Sequence, residues 1–449
     1  MVDQDRGRAA STGSSAGKKI SRRRFLELGG AGLAGASLFG VSGCGGGSQG
    51  GGGSKSLVFA YATEQSGTLQ KLIDKFNKQN KGKIKVRWRQ MPAASSDYFE
   101  QIKNQLQSGQ SDIDVIAGDV IWPAQFAAQG WILDISDRFT GSMKKDFLGG
   151  PVQSLEYKSK TWGVPWYTDA GMFYYRKDLL KKSGFDSPPK TWDEMKSMVR
   201  KIRSDSGTKF GYVFQGSQDE GGVADALEWT WNAGGDVLQG DKVVVNSPSS
   251  VEGLKLRRSM ITDGIAPRAN TDYTTQDSQG TFTNGDVVFM RNWTFVYGLL
   301  ADPKLSRVKQ DQVGIARLPV ANKGNNSVSC LGGWNFMVNA QSKSKMDQIW
   351  PFIKFMTAPE QQKAFTLGTA TMPTRQNLYQ DKEILNKVPI AALAKEVLKN
   401  TRPRPRSPYY ADMSLEMAQE FNSALKGQAP TKKALGTLEE KLKSIISKS

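Results

Sequence analysis

The sequence predicts an α/β fold with two hydrophobic cores. Between residues 57 and 116, segments with strand periodicity alternate with segments of helical periodicity, which is typical of a parallel sheet with helices on both faces. The chain has 449 residues, of which 38% are hydrophobic and 10% aromatic. This length exceeds one ordinary domain, so we expect two domains, with a ligand at the carboxyl ends of the strands.

The individual elements can be placed along the chain. In order, the sequence predicts a strand at 57–62, a helix at 69–76, a strand at 84–88, a helix at 98–109 and a strand at 113–116. Thr191–Glu194 matches a capping box and therefore begins a further helix. Later strands are predicted at 210–214, 243–245, 287–290, 313–316 and 334–338, and the chain after residue 360 is mainly helical.

The scarcity of two residue types excludes whole classes of site. Histidine is missing, which removes the usual general base at neutral pH and every Ser-His-Asp or Cys-His arrangement. A histidine zinc site is also excluded, and Cys44 and Cys330 are too few for an all-cysteine site. We expect neither a metal nor a cofactor.

The chain is basic, with a net charge of +18, of which +14 remains when the first 43 residues are set aside. Such a charge can indicate nucleic acid or an anionic surface as a partner. The lysines are scattered, however, and many lie on the polar faces of predicted amphipathic segments: Lys71, Lys75, Lys78, Lys81, Lys83 and Lys85. We therefore favour a soluble basic surface and expect no nucleic-acid partner.

Residues 1–43 resemble a twin-arginine export signal. Arg22–Arg24 precede Phe25 and a modestly apolar run that ends at Val41. This run is too short and too rich in glycine to form a transmembrane helix. We expect a signal that directs export and does not itself anchor the chain.

Val41–Cys44 resembles a bacterial lipobox, in which the cysteine thiol receives a diacylglycerol before cleavage. Lipid on Cys44 holds a protein on the outer face of the bacterial cytoplasmic membrane, because each buried CH₂ contributes about 0.8 kcal/mol. Residues 44–55 then comprise the lipidated end and a Gly-rich tether. A fortuitous cysteine in a linker is the alternative, which the order of signal, lipobox and tether disfavours.

Six stretches of the exported part together resemble a known family. They are Gly118–Pro123, Thr161–Leu180, Pro188–Glu194, Asn284–Trp293, Leu331–Trp334 and Arg402–Tyr410. In this order they resemble the extracellular solute-binding proteins of ABC sugar importers, in particular the group that captures maltose, trehalose and related oligosaccharides. The resemblance runs from about residue 56 to the C-terminus.

This resemblance implies that the chain crosses between two lobes two or three times, so that neither lobe is continuous in sequence. The fold is expected to be the type II periplasmic-binding-protein fold, with two α/β lobes, a hinge and a ligand cleft between the lobes. The expected crossings lie near 164–166, 315–317 and 360–370. Lobe 1 is then 56–165 plus about 317–362, and lobe 2 is 166–316 plus about 363–449.

The resemblance also implies a function. The protein is expected to bind an oligosaccharide such as trehalose or maltose, closing its lobes around it, and to deliver it to separate permease and ATPase subunits. It is expected to be a monomer and not an enzyme.

Three carboxylates are candidate ligands for sugar hydroxyls. Glu64 and Asp119 follow predicted strands, and Asp169 follows a predicted crossing. For Glu64 the alternative is an acid near a helix N-terminus, stabilised by the helix dipole. For Asp169 the alternative is a turn residue before Ala170-Gly171.

Aromatic residues and glycines are expected to complete the cleft, because sugar rings present C–H groups on their faces and hydroxyls at their rims. Without the resemblance, each tryptophan is more readily explained as a core residue, and Trp122 before Pro123 can simply pack against the start of a helix. The two glycines allow close approach of the backbone, although Gly-Gly is also an ordinary turn. The candidates are Trp122, Tyr167, Trp293, Gly332, Gly333 and Trp334.

Arg375 matches a family arginine that reaches into the cleft, with a solvated surface arginine as the alternative. Arg402, Arg404 and Arg406 alternate with prolines, which favours a structural loop over a nucleic-acid patch. Cys330 is expected to be buried and unreactive.

Two other functions are compatible with the sequence. A glycoside hydrolase needs only paired carboxylates, which Glu64, Asp119 and Asp169 could supply, but no hydrolase motif is present. The same fold could also bind another solute, and a charged amino acid would need a paired cationic and anionic site.

Overall fold

Two sheets, one of seven strands and one of four, form the framework of the chain. They belong to a computed structural model that describes residues 55–109, 112–240 and 242–447. The predicted signal, Cys44 and the tether lie outside the described residues. Within those residues, no helix has both the length and the apolar character needed to cross a membrane.

The strands are β1 Lys55–Ala62, β2 Ile84–Met91, β3 Val115–Asp119, β4 Glu156–Tyr157, β5 Lys160–Thr161, β6 Val164–Ala170, β7 Met172–Arg176, β8 Phe210–Val213, β9 Leu238–Gln239, β10 Lys242–Val243, β11 Val287–Asn292, β12 Val313–Ala316, β13 Ser329–Val338, β14 Met372–Pro373 and β15 Thr401–Arg402.

The helices are α1 Thr68–Gln79, α2 Ser95–Gln107, α3 Pro123–Ala128, α4 Gly141–Lys144, α5 Gly149–Ser154, α6 Lys177–Lys182, α7 Trp192–Ser206, α8 Glu220–Asn232, α9 Pro248–Thr262, α10 Thr275–Thr283, α11 Val296–Leu299, α12 Met346–Met356, α13 Pro359–Thr369, α14 Lys382–Lys387, α15 Ile390–Leu398, α16 Tyr410–Lys426 and α17 Thr431–Ile446. Short 3₁₀ helices cover Arg268–Asp272, Gln310–Gln312, Ala340–Lys345 and Gln376–Gln380.

The larger sheet has the strand order β14–β6–β13–β3–β1–β2, with β15 paired to β13. β1 is parallel to β2 and to β3, which confirms the predicted βαβαβ arrangement, and β13 is antiparallel to β3 and to β6. β3 begins at Val115, later than the predicted Ile113. The reason is that the Asp114 carboxylate, in place of a backbone carbonyl, accepts the N–H of Val58 at 2.9 Å.

The smaller sheet has the order β12–β7–β11–β8 and contains the strands predicted at 210–214, 287–290 and 313–316. The strand predicted at 334–338 belongs to the longer β13 in the larger sheet. The prediction at 243–245 was only partly right, because β10 pairs with β9 alone. The chain turns there, since Ser247 caps α9 and Pro248 begins it.

Apolar side chains on the predicted helix faces form the cores. On α1, Phe76 packs against Phe352 beneath the larger sheet, with the ring centroids 5.3 Å apart. On α7, the predicted capping box is present, and the Trp192 ring stacks on Trp229 at 3.9 Å. The local sequence pattern therefore positioned both helices correctly against their sheets.

The chain passes from the larger to the smaller sheet at Gly171. Val164–Trp166, expected at a crossing, lie inside β6, which pairs with β13 as far as Ala170. β7 then begins at Met172 and pairs in the smaller sheet. The return takes place between Ala316, the last residue of β12, and Ser329, the first of β13. The lobe boundaries at 165, 316 and 362 stay predictions.

We expect Gly171→Ala to lower the free energy of unfolding by about 1–3 kcal/mol, the usual cost of overpacking a core. A Cβ at residue 171 would lie 2.0 Å from Glu228 Oε1 and 2.7 Å from Arg291 Nη2. These atoms cannot easily move, because Glu228 and Arg291 form a buried bidentate ion pair. Urea unfolding measures the effect. Gly280→Ala is the control, since no atom lies within 4 Å of that Cβ, and equal losses in the two variants would contradict the argument.

Candidate functional site

A cavity of about 600 Å³ lies between elements of the two sheets. It begins at the carboxyl ends of β1 and β3, where ligands are expected on such sheets. The opposite wall comes from α10, from the chain after β11 and from the start of α8. Eight of the ten predicted ligand residues line the cavity: Glu64, Asp119, Tyr167, Asp169, Trp293, Gly332, Gly333 and Trp334.

Glu64 follows β1 and also holds the start of α1. Its carboxylate accepts the N–H of Ser66 and, at 3.1 Å, the N–H of Leu69. The two interpretations of Glu64 made from the sequence are therefore compatible, since one carboxylate caps the helix and faces the cavity. These backbone donors fix its position before any ligand binds.

Asp119 belongs to a buried group of charges that joins the two sheets. Arg404 donates to Asp119 Oδ1 at 2.9 Å and to Glu220 Oε1 at 2.7 Å. Tyr410 also donates to Glu220, and Ser95 donates to Asp119 Oδ2 at 3.1 Å. Burial raises the pKa of Glu220, and the charge of Arg404 opposes this rise. Arg404 thereby links the end of β3 to the start of α8.

Neither Arg404 nor Glu220 was among the predicted site residues, yet both line the cavity. Arg404 was assigned to a structural loop because it stands between prolines. In the structure, β15 pairs with β13, and this places the following residues beside Asp119. Arg402 and Arg406 do remain at the surface, where Arg402 lies 3.4 Å from Asp236. No local signal distinguishes Arg404 from its two neighbours.

Asp169 presents one carboxylate oxygen to the cavity and keeps the other bonded. Oδ1 accepts the Thr294 N–H at 2.9 Å, the Thr294 hydroxyl at 2.7 Å and the Ala170 N–H at 2.8 Å. Oδ2 accepts no hydrogen bond from the described residues. Burial raises the pKa of Asp169 to about 6, although the bonds from Thr294 and Ala170 oppose the rise. Oδ2 is thus an oriented acceptor without a partner.

Trp293 lies on a fixed cation. The guanidinium of Arg291 is centred 4.2 Å from its ring, and Arg291 is itself held by Glu228. Gly332 allows the ring to approach β13, since a Cβ there would be 2.8 Å from Trp293 Cζ3. The half-buried indole is therefore fixed on one side and faces the cavity with the rest of its surface.

Trp334 and Trp122 lie together, but only Trp334 reaches the cavity. Trp334 stacks on Tyr98 at 5.5 Å, and Trp122 meets it edge-on at 5.4 Å. Trp122 is 2% exposed, directly precedes α3 and also packs against Phe126 of that helix. The prediction that Trp122 forms a wall of the cleft therefore needs correction, because Trp122 supports Trp334 from behind.

Among the remaining predicted residues, Gly333 and Tyr167 lie at the cavity and Arg375 does not. Gly333 has φ 135°, and its Cβ would lie 2.6 Å from the Tyr167 carbonyl oxygen, so glycine is required there. Tyr167 shares a hydrogen bond of 2.7 Å with the Tyr61 hydroxyl at the cavity floor. Arg375 is placed outside the cavity, because it pairs with Asp146 at 2.9 Å and covers the Phe147 ring.

Cys330, expected to be buried and unreactive, is fully buried in β13. Burial raises the pKa of its thiol to about 12, so the reactive thiolate is scarce at neutral pH. Its backbone N–H donates to Glu228 at 2.8 Å.

Two sheets, each packed against helices, share one cavity that is lined by indole rings and oriented carboxylates. This arrangement defines a solute-binding protein of the type II periplasmic-binding-protein fold. Residues 60–363 match the family model of the bacterial extracellular solute-binding proteins, and this chain belongs to that family. The predicted family resemblance and fold class are thus confirmed. Members of the family bind substrates of ABC transporters and are not enzymes.

Individual relatives agree with this assignment. A probable ABC transporter-binding protein of Deinococcus radiodurans is 34% identical over 365 residues, which cover 79% of this chain and 85% of the relative. The maltose-bound MalE3 of T. maritima superposes with a TM-score of 0.82 at 33% identity, covering 87% of this chain and all of that one. The acarbose-binding GacH receptor of Streptomyces glaucescens, at 22% identity and a TM-score of 0.78 over 88% of this chain and 99% of that one, shares the fold.

Proposed function

We propose that this protein captures an oligosaccharide outside the cytoplasm and delivers it to a membrane permease driven by a separate ATPase. An α-linked glucose disaccharide, such as maltose or trehalose, is the proposed ligand. The observation that carries the proposal is the cavity of about 600 Å³, whose lining includes indoles from opposite sheets and the unpartnered carboxylate oxygen of Asp169. The maltose-bound relative at 33% identity supports the same class of ligand.

The proposed contacts divide the ligand between faces and edges. Trp293 and Trp334 would stack on the C–H faces of the sugar rings, where their apolar area excludes water. Asp169 Oδ2 would accept a hydroxyl proton, and charge-assisted hydrogen bonds of this kind are among the stronger ones in proteins. Glu64 and Asp119, at the carboxyl ends of β1 and β3 in the same larger sheet, would accept further hydroxyls.

Ligand binding would favour the closed arrangement of the lobes, because the proposed contacts come from both sheets at once. A ligand shifts such an equilibrium only by its difference in affinity for the two states. Trp334 and Asp119 belong to the larger sheet, whereas Trp293 follows β11 of the smaller one. The permease would then recognise the closed form.

The proposed location follows from the leader. Export through the twin-arginine route and lipid on Cys44 would place the protein on the outer face of the cytoplasmic membrane, close to its permease. A monomer is the proposed working form, since one chain contains all the proposed contacts. No nucleic acid takes part in this function.

The test is a thermal-shift screen of the mature chain from residue 44, with Cys44→Ser to prevent lipidation. A ligand that binds only the native state adds about 2.7 kcal/mol of stability at a hundredfold excess over its Kd. We expect shifts with maltose, trehalose or short maltodextrins, and the sugar to be recovered intact. A shift with amino acids alone, or release of monosaccharide, would overturn the proposal.

For the ligand found, Trp293→Ala is expected to weaken binding by about 2 kcal/mol, roughly thirtyfold, because an aromatic anchor is removed. Arg375→Lys is the matched control, and it should leave the affinity unchanged because Arg375 lies outside the cavity. Titration calorimetry measures both. Equal losses in the two variants would show that the cavity is not the binding site.

A further inference from the structure

The cavity between the two sheets is negatively charged, although the chain as a whole is basic. Among the described residues that line it, one cation, Arg404, stands against six carboxylates: Glu64, Asp119, Asp169, Asp219, Glu220 and Asp302. The formal charge of this lining is therefore −5, whereas the whole chain carries +18. A cleft lined by charges of one sign raises the local concentration of ligands of the opposite sign. A neutral sugar does not pair with this excess charge.

Five of the six carboxylates are stabilised by their surroundings. Arg404 pairs with two of them. Glu64 accepts N–H groups at the start of α1, and Asp219 is the N-cap of α8, where a helix N-terminus favours a negative charge. Asp302 is exposed to water. Asp169 has none of these advantages, because it is 6% exposed and forms no ion pair with a described residue.

The cation that acts on Asp169 through space is already engaged elsewhere. Arg291 donates to Glu228 at 2.7 and 2.8 Å and to Gln215 at 2.8 Å. Burial raises the pKa of Asp169 to about 6, although the charge of Arg291 is among the influences that oppose the rise. The ionised carboxylate of Asp169 is therefore not fully compensated at neutral pH.

This carboxylate lies beside a stacking surface. A Cβ on Gly332 would lie 2.8 Å from Trp293 Cζ3 and 3.2 Å from Asp169 Cβ, so the indole and the carboxylate adjoin the same glycine. Oδ2 of Asp169, which accepts no hydrogen bond from the described residues, faces the cavity. A sugar ring stacked on Trp293 would therefore present its edge to this oxygen.

Three carboxylates act on one pair of hydroxyl groups at the cavity floor. The hydroxyl oxygens of Tyr61 and Tyr167 are 2.7 Å apart. Burial raises the pKa of Tyr61, and the charges of Glu64 and Asp169 add to the rise. Burial also raises the pKa of Tyr167, to which the charges of Asp169 and Asp119 contribute. Both hydroxyls therefore stay neutral, and the negative potential at the floor acts on whatever ligand lies above them.

We propose that the cavity prefers a sugar that carries a protonated amino group over the neutral sugar with a hydroxyl at the same position. This inference deepens the proposed function and rests on it, because a sugar must bind in this cavity. The ammonium donates to Asp169 Oδ2. A hydroxyl supplies a hydrogen bond to this oxygen but no countercharge, whereas an ammonium supplies both, and a buried charge is costly unless it is paired. The negative lining offsets the water that the ammonium loses on entering the cavity.

The experiment compares matched sugars by titration calorimetry at pH 7, on the same Cys44→Ser chain as the thermal-shift screen. The parent sugars are maltose and trehalose. Each derivative has one hydroxyl replaced by a primary amine, and the set covers every free hydroxyl in turn except the anomeric one of maltose. We expect at least one derivative to bind about tenfold more tightly than its parent, equivalent to about 1.4 kcal/mol.

Two variants test the role of Asp169 in this preference. In Asp169→Asn an NH₂ group faces the ammonium, so the amine should bind no more tightly than its parent. The fold should persist, because the amide still accepts from Thr294 and Ala170. Asp97→Asn is the matched control, since Asp97 is an exposed carboxylate in the first turn of α2, next to Ser96 of the cavity lining. This variant should retain the preference.

A preference that disappears in Asp169→Asn and persists in Asp97→Asn would support the proposal. Amines that all bind no more tightly than their parents would overturn it, and so would a preference that survives in Asp169→Asn or is lost equally in both variants. The proposed function fails in a different way. Binding of the parents without a preference contradicts this inference alone, whereas binding of an amine without measurable binding of either parent contradicts only the neutral ligand proposed above. No binding by any of these sugars contradicts both.

Discussion

Arg404→Met is expected to lower the free energy of unfolding by about 3–5 kcal/mol, the usual cost of breaking a buried ion pair from one side. Arg404 is 4% exposed and holds both Asp119 and Glu220. Its removal leaves the buried carboxylates of Asp119 and Glu220 without a countercharge. Urea unfolding at neutral pH measures the loss.

Two further variants test the reason for this loss. Arg402→Met removes a neighbouring arginine whose ion pair with Asp236 lies at the surface, and such pairs contribute about 0–1 kcal/mol. Adding Glu220→Gln to Arg404→Met should recover part of the stability, because one of the unpaired charges is then gone. A loss below about 1 kcal/mol in Arg404→Met would mean that water solvates both carboxylates and that Arg404 does not join the sheets.

Asp169→Asn is expected to stabilise the protein at neutral pH and to weaken ligand binding. Burial raises the pKa of Asp169 from 3.8 to about 6, so the ionised form is disfavoured in the folded state. This destabilisation is fully present above pH 6 and disappears as the pH falls below 4. A pKa shift of about two units corresponds to a destabilisation of about 3 kcal/mol. This value is an upper estimate of the stability gained when the neutral amide replaces the carboxylate.

In Asp169→Asn, the amide retains Oδ1, which is already hydrogen-bonded, and replaces Oδ2, which has no partner, with an NH₂ group. Asparagine can still accept from Thr294 and Ala170 through Oδ1, whereas its NH₂ group faces the cavity where Oδ2 faced it before. We expect the affinity for the sugar to fall by about 2–3 kcal/mol, the value of a hydrogen bond to a charged group. Unfolding at pH 7.5 and at pH 4, with calorimetric titration at pH 7.5, measures both effects. A stability gain of equal size at both pH values would contradict the role given to the raised pKa.

The pH dependence of sugar binding by the unmodified protein independently tests the role of the Asp169 carboxylate. If the ionised carboxylate accepts a sugar hydroxyl, binding should weaken as the pH falls below about 6, and Asp169→Asn should remove that dependence. A dependence that persists in the variant would have to come from another group.

Features that depend on neighbouring residues could be predicted from the sequence. The apolar spacing of α1 and the capping box at Thr191 and Glu194 act over one or two helical turns, and both elements were located correctly. The parallel sheet followed from the alternation of these local patterns, because few connections between parallel strands are possible. The ordered motifs were sufficient for the family, and eight of the ten predicted ligand residues line the cavity.

Contacts between distant residues could not be predicted in this way. Arg404 and Asp119 are separated by 285 positions, and only the pairing of β15 with β13 brings them together. For the same reason, Trp122 and Arg375 were predicted to line the cavity but do not, whereas Glu220 and Arg404 line it and were not predicted. Whether a side chain reaches the cavity depends on how several elements pack.

The lysines also show the difference between what composition determines and what tertiary structure determines. Their number and the basic charge are properties of the composition, and their separation along the chain favoured a dispersed, solvated surface. Folding brings Lys345 to Asp114, 231 positions away, because β13 ends opposite the start of β3. Local periodicity is encoded in a few adjacent residues, whereas the charge of a surface depends on which strand ends share an edge, and that is established only when the sheet forms.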